Sequence, residues 1–349
     1  MRSIMLSRAA HLALFTERLR EIGTPVEREL AVAGLPTTLE EQPDYYLPVL
    51  LATNFLRKME LKEGIEDFGF LASQKLALGS LGADLRVAVH RVPTLYAGLM
   101  LLSRLARLEY TNARVSVVPR GDSIRICSEL VGYQEFAGLQ YIEWLQNFTA
   151  ITIVRQFAGP QWCPAEIAFK SRFSPSPRAL ERFSNTRFLT GEKMAWIEVS
   201  ASLQNLPPWI SRHGQRPNAA PNWVEQLPVE PKLDFPGSLE LALRAYIANG
   251  PPSIQFAAEI AGTSVRTLQR CLARYGLSYS DLAQQARFAT AARLLEDPDT
   301  KVIDVAYSVG YEDPSHFARA FRRLAGVSPR EYRHYLAIHR LDSCVPVQQ

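Results

Sequence analysis

Apolar residues recur at helical spacing through Leu12–Ile22, Tyr46–Met59 and Thr94–Leu108, and the spacing predicts three amphipathic helices. Ala113–Val118 and Ser123–Glu129 alternate or are β-branched, with Arg120-Gly-Asp122 between them as a turn, which predicts a hairpin. A long apolar run, Leu139–Phe157, reads as a buried helix, and short strands are expected at Glu166–Phe173, Asn185–Leu189 and Met194–Val199. The periodicity then fades. Seven prolines fall between 207 and 236, so residues 206–236 read as a linker or strap. The alternative is a loop packed on the N-terminal domain, because Trp209 and Trp223 are costly to leave in water. From Ser238 to Arg340 the texture is that of short capped helices. Ser253 follows two prolines, Ser278-x-x-Asp281 and Ser328-Pro329-x-Glu331 are capping boxes, and Asp313-Pro314 offers a further cap. These signals divide the segment into about seven helices. The expected organisation is a mixed α/β domain over 1–205, the linker over 206–236 and an all-α domain over 237–340.

Composition narrows the class. The chain has 349 residues, enough for two domains at about 150 residues each. Hydrophobic residues make up 47% and charged residues 21%, which excludes wholesale disorder. No apolar run reaches the roughly 18 residues a membrane span needs, and Arg2 and Arg8 interrupt any secretory core at the start. The four cysteines, Cys127, Cys163, Cys271 and Cys344, are scattered without metal-ligand spacing. A reducing cytoplasm fits them, and no metal or other cofactor is expected. The net charge of +4 decides little until its placement is known.

Placement comes from an internal duplication. Ala258-x-x-x-Gly262, Leu268-x-x-x-Leu272 and Gly276-x-Ser278 recur as Ala306-x-x-x-Gly310, Phe317-x-x-x-Phe321 and Gly326-x-Ser328. Each copy has the parts of a helix-turn-helix. A small residue allows close helix approach, a glycine takes a left-handed exit, and an apolar pair at i and i+4 seats the second helix. The opposite face of that helix is then free to enter a DNA major groove. From Ser264 to Arg274 that helix carries Arg266, Arg270 and Arg274 and no acid. From Ser315 to Arg330 it carries Arg319, Arg322, Arg323 and Arg330 and no acid. Clustered arginine of this kind suits a phosphate backbone. Between the copies Tyr279–Leu295 reads as a rigid helix about 25 Å long, with Leu282, Ala286, Ala289, Ala292 and Leu295 on its apolar side. Such a rod suits two reading heads on successive major-groove segments of one duplex.

These residues carry a resemblance. Ser264-Val-Arg-Thr-Leu-Gln-Arg-Cys-Leu272, Gly276-Leu-Ser278, Ile303-Asp-Val-Ala-Tyr-Ser-Val-Gly-Tyr311, Ser315-His-Phe-x-Arg-x-Phe321 and Gly326-Val-Ser-Pro329 resemble the AraC/XylS family of bacterial transcription factors, over about 100 of the 349 residues. The resemblance implies base contacts from Arg266, Gln269 and Arg270, and from the matching Ser315, His316 and Arg319, since arginine grips guanine and glutamine reads adenine. Ser264, Arg274, Arg322, Arg323 and Arg330 are implied as further DNA contacts, the last three to phosphate. Pro314 departs from the polar residue usual at that position, which implies fewer bases read by the second unit. Arg287, on the bridging helix, is expected in an ion pair or at a phosphate, and Cys271 in the core.

The N-terminal region is plainer. Trp144, Trp162 and Trp196 read as core, and His90, Arg91, Arg114 and Arg172 as surface charges more than effector ligands. Phe68–Gly82 and Phe183-Ser-Asn-Thr-Arg-Phe-Leu189 resemble the arabinose-binding-like regulatory domain of one branch of the family, without the histidines and dense strands of a sugar-binding cupin. The resemblance implies a small-molecule effector, a homodimer, promoter DNA and RNA polymerase as partners, and a regulator, most often an activator. A regulator controlled by abundance alone is the alternative. An enzyme fused to a DNA-targeting module is disfavoured, because a reactive cysteine cluster and a G-x-S-x-G elbow are both missing.

Overall fold

Proline and threonine set where two of the N-terminal helices begin. Pro48 is the N-cap of helix α3 (Val49–Glu63), and the Thr94 hydroxyl accepts the Ala97 amide at the start of α6 (Leu95–Glu109). The computed structural model describes residues 2–132, 136–209, 233–250 and 252–342. Two units are distinct: Met5–Lys232, and Met1–Ile4 with Leu233–Gln349. The first is α/β and the second all-helical. Most of the proline-rich stretch, 210–232, lies outside the described residues, Trp223 with it.

In the first unit, helices α1 (Ala9–Glu21), α2 (Val26–Val32), α4 (Phe68–Ser73), α5 (Ala83–Arg91), α7 (Leu139–Ala158) and α8 (Pro177–Arg182) join α3 and α6. A two-stranded ribbon pairs β1 (Leu6–Arg8) with β2 (Tyr46–Pro48). The helix expected from Tyr46 therefore starts three residues late, because Tyr46 and Leu47 are spent on this pairing and Pro48 serves as the cap of α3. The main sheet has the order β3-β4-β7-β5-β6, with β3 (Ala113–Arg120), β4 (Ser123–Leu130), β5 (Glu166–Phe169), β6 (Arg187–Thr190) and β7 (Ala195–Ser200). β3 and β4 form the expected hairpin, with Gly121 at φ +57° in its turn. β5 ends at Phe169, short of the expected Phe173, because the Lys170 and Ser171 amides turn away to the Glu143 carboxylate at 2.8 and 3.1 Å.

Helix α7 is buried on nearly every side, as its unbroken apolar run predicts. Its Trp144 is ringed by Phe70, Phe148, Phe169, Phe173 and Phe188, with centroids 4.6–6.1 Å away. Trp196 is buried, whereas Trp162 is only half-buried. His90, Arg91 and Arg172 are exposed, and Arg114 pairs with Glu129 at 2.9 Å. The chain stays with this unit through Trp209, whose ring covers Gly159, and the Leu206 and Gln204 carbonyls accept the first amides of α6.

A buried charge cluster ties α1 to α6. Glu109 Oε1 accepts the Gly82 amide at 2.7 Å, and Oε2 accepts Arg8 Nη1 at 3.2 Å. His11 Nε2 lies 3.0 Å from the same oxygen, too oblique for a well-formed hydrogen bond but close enough for attraction. Arg8 also reaches Asp44 at 2.5 Å. Burial alone would push the Glu109 carboxyl up. The neighbouring His11 and Arg8 and the Gly82 amide outweigh it and hold the group below the usual carboxylate range.

The second unit has seven α-helices among its described residues: α9 (Phe235–Arg244), α10 (Ile254–Ile260), α11 (Val265–Ala273), α12 (Tyr279–Leu294), α13 (Val302–Ser308), α14 (Pro314–Ala325) and α15 (Pro329–Asp342). Asp234 caps α9 by accepting the Gly237 amide at 2.9 Å. Phe235, Leu239 and Leu243 are buried where α9 packs on α12. The Ile4 amide donates to the buried Ser238 hydroxyl at 2.8 Å, placing the first residues of the chain in this unit. α12 is the expected bridging helix. Its buried positions are Leu282, Ala283, Ala286, Thr290 and Ala291, followed by Leu295, whereas Ala289 and Ala292 are only half-buried. The stripe differs from the expected one because α12 packs against both α9 and α13, and Thr290 enters the core by donating to the Ala286 carbonyl at 2.9 Å.

Candidate nucleic-acid interface

Each copy of the duplication builds its turn in the same way. Ala258 and Ala306 are buried, which lets the paired helices approach. Gly262 and Gly310 take φ of +60° and +77°, the left-handed exit that favours glycine. The Thr263 amide returns to the Ala258 carbonyl at 2.9 Å and the Tyr311 amide to the Ala306 carbonyl at 3.0 Å, closing equivalent C-caps. A Cβ on Gly310 would sit 3.3 Å from the Gly250 Cα, so close approach reinforces the choice.

The second helix of each unit is then fixed at its start and along its inner face. Ser264 caps α11 by accepting the Thr267 amide at 3.3 Å. Asp313 caps α14 by accepting the Ser315 amide at 2.7 Å, with Pro314 at the first helical position. That amide, helped by the nearby His316 and Arg319, holds the Asp313 carboxyl below its ordinary range. Leu268, Cys271 and Leu272 seat α11, and Phe317 and Phe321 seat α14. Phe321 lies at 4.9 Å from Phe288 on α12, 5.7 Å from Phe317 and 5.3 Å from Tyr332 on α15, so one ring fastens three helices. Both capping boxes form: Ser278 with Asp281, and Ser328 with Glu331.

The outward face that remains is basic. Ser264, Arg266, Gln269, Arg270 and Arg274 are all exposed on the first unit, and Ser315, His316, Arg319, Arg322, Arg323 and Arg330 on the second. Arg266, Gln269 and Arg270 stand at i, i+3 and i+4 on the side of α11 away from Leu268 and Leu272. Within the second unit two of the named groups already have intramolecular partners. Arg323 Nη2 donates to Gln284 Oε1 on α12 at 2.5 Å, and His316 Nε2 lies 3.8 Å from Asp313 Oδ2. Gln284 is not legible as a partner in the sequence, because nothing in its spacing distinguishes it from a solvated glutamine. Arg287 does not make the expected ion pair among the described residues. Its guanidinium lies over the Tyr311 ring at 5.0 Å, beside Gly310, and its Nε is buried without a hydrogen-bond partner, so it packs the turn of the second unit.

Comparison with known proteins places both units. A family model described as a helix-turn-helix domain matches residues 257–335. One described as the N-terminal arabinose-binding domain of the AraC transcription regulator matches residues 23–208, more than half of the chain. The HTH-type transcriptional regulator VirS of Mycobacterium tuberculosis is 25% identical over 332 residues, covering 95% of this chain and 97% of that protein. The HTH-type transcriptional activator RhaS of an Enterobacter species is 39% identical over 77 residues, 22% of this chain and 28% of that protein. Among solved structures, the transcriptional regulator CdpR from Pseudomonas aeruginosa aligns with 88% of this chain and 96% of its own at 18% identity and a TM-score of 0.38. No helix of the described residues is long and apolar enough to cross a membrane. With both of its units matched, the chain belongs to the AraC family of transcription regulators, which are DNA-binding proteins and not enzymes.

Proposed function

We propose that this regulator binds promoter DNA sequence-specifically through both helix-turn-helix units, and that a small molecule bound by the N-terminal unit controls it. The observation that carries the reading is the pair of seated helices, α11 and α14, each presenting an acid-free outer face of arginines, joined by Gln269 on the first and by Ser315 and His316 on the second. Arg266, Gln269 and Arg270 read base edges from the first unit, and Ser315, His316 and Arg319 read fewer from the second, since Pro314 occupies the first helical position. Arg274, Arg322, Arg323 and Arg330 bind phosphates. Ser264 offers the free amides of its helix start to another, its hydroxyl being committed to the cap.

The proposed domain limits are a regulatory domain over 1–205, a linker over 206–236 and the DNA-binding domain over 237–340, with residues 206–209 of that linker held on the first unit, 234–236 opening α9 of the second, and the first four residues joined to the second. The protein acts in the cytoplasm as a homodimer, and activates by contact with RNA polymerase. Effector control requires the ligand to bind the active and inactive states with different affinity.

Arg266→Ala or Arg270→Ala is expected to weaken binding to the operator by about 1–3 kcal/mol and to relax sequence preference at one position. Arg322→Ala is expected to weaken binding equally on all sequences. Titration against a randomised operator library separates the two patterns. Unchanged affinity and preference in the α11 variants would withdraw the base-reading assignment.

A further inference from the structure

One face of α1 lines an open groove of about 530 Å³ in the N-terminal unit, a size within the roughly 300–1,000 Å³ of small-molecule sites. Ala10, Ala13 and Leu14 stand at i, i+3 and i+4 and floor it, and the two alanines leave the space open. One rim is formed by residues 40–44 and the other by residues 79–86. The first rim is acidic. Glu40 accepts Arg20, and Asp44 accepts Arg8 Nη2 at 2.5 Å, each through a single carboxylate oxygen. The second rim carries Arg86, half-buried, which donates to the Gly79 carbonyl at 3.3 Å and has no carboxylate partner among the described residues. The other charges of the groove are already held: Arg8 by Asp44 and Glu109, Arg20 by Glu27 and Glu40, and Glu17 by Lys75. Arg8 Nη1 donates to the Ser80 carbonyl at 2.9 Å, next in the chain to the carbonyl that holds Arg86, so the two rims approach each other there.

We propose that this groove is the effector site, and that its ligand is an amino acid with an apolar side chain: its carboxylate on Arg86, its ammonium group on the outer oxygens of Asp44 and Glu40, and its side chain over Ala13 and Leu14. The inference rests on the reading of the protein as an effector-controlled regulator, and it names the chemistry of that effector.

Charge selects the ligand class. A simple anion pairs with Arg86 but lies opposite Glu40 and Asp44, and a simple cation pairs with those carboxylates but faces the unpaired guanidinium. A molecule that carries both charges meets both rims at once. Its charge-assisted hydrogen bonds are stronger than those of a neutral molecule in the same place. The alanines, Leu14 and Leu81 then offer an apolar surface to the rest of it. The position also suits an effector. Arg8 follows Ile4 by four residues, and the Ile4 amide is held by the Ser238 hydroxyl of the DNA-binding unit. A ligand that draws on Asp44, and through it on Arg8, therefore acts on β1, where the chain passes from the one unit into the other.

The test uses calorimetry on the full-length protein with L-alanine, L-leucine and L-phenylalanine as probes. Each is compared with the amine that lacks its carboxylate and the acid that lacks its ammonium group, and L-arabinose is the uncharged control. The wild type, Arg86→Gln and Glu40→Gln are titrated. Neither position is buried, so both variants fold, and thermal melting checks that they do. The tightest of the three amino acids is expected to bind the wild type about tenfold or more better than either of its truncated forms. Arg86→Gln is expected to lose the advantage over the amine and keep that over the acid, and Glu40→Gln to shrink the advantage over the acid alone. No binding by any of the three, truncated forms that bind as well, a preference for arabinose, or both advantages unchanged in the variants would overturn the proposal. Operator binding by the same preparations is measured with and without the amino acid, and its affinity is expected to change. An amino acid that binds without changing it would overturn the assignment of the groove as the effector site. A groove that ignores the probes leaves DNA recognition standing, whereas a wild type that binds no operator under either condition would sink the regulatory reading itself.

Discussion

Glu109→Ala is expected to destabilise the N-terminal unit by about 3–5 kcal/mol, because it leaves the buried Arg8 guanidinium short of one of its two carboxylates and the Gly82 amide without an acceptor. Glu109→Gln keeps the shape and removes the charge, and is expected to recover part of that loss. The wild type carries a pH signature of the same contact. The Glu109 carboxyl is held low in the folded protein, so its contribution is fully present above the ordinary carboxylate range. It fades as the pH falls through the lower, folded value. Denaturant melts of the three proteins at neutral and acid pH check this. The wild type should converge on the glutamine variant as the pH drops through that window. A cost below about 1 kcal/mol for alanine at neutral pH, or parallel pH profiles, would show that the cluster is not the fastening between α1 and α6.

Phe321→Ala is expected to cost the second helix-turn-helix unit about 3–5 kcal/mol. The side chain is buried, and it is the ring that joins α14 to Phe288 and Tyr332. Removing it takes away the packing that aims Ser315, His316 and Arg319, while Leu268 and Leu272 still seat α11. Hydrogen exchange should show protection lost over α13–α15 and retained in α11. Operator affinity should fall with the second unit, and Phe321→Leu should restore part of both. Uniform loss of protection through α11 would mean that the two units fold only together.

The C-terminal half is legible in the sequence because its signals are local. A helix start reads from Ser264, Ser278, Asp313-Pro314 or Ser328, and a turn reads from Gly262 or Gly310. In each case the cause lies within a few residues of the effect. The apolar pairs Leu268/Leu272 and Phe317/Phe321 follow from spacing alone, and the structure buries all four. The stripe on α12 is less legible. A periodic pattern assumes one buried face, whereas two neighbours cover this helix and leave Ala289 and Ala292 half-buried.

In the N-terminal half the long helix and the hairpin are visible in the sequence, but the β1–β2 ribbon is not. Three-residue strands carry too little alternation to separate from a helix start, and their partners are some forty residues apart. The charge cluster is invisible for the same reason, because Arg8, Asp44 and Glu109 meet only through the fold. On the DNA-binding face every proposed contact is exposed, and the bond from Arg323 to Gln284 depends on how α14 lies against α12.

The most direct test of DNA recognition by paired units is a hydroxyl-radical footprint of the full-length protein on a promoter fragment recovered from a genome-wide occupancy map. The account predicts two protected windows on one face of the duplex, about one helical turn apart, for each bound subunit. Protection of a single window, or no protection at low salt, would contradict it.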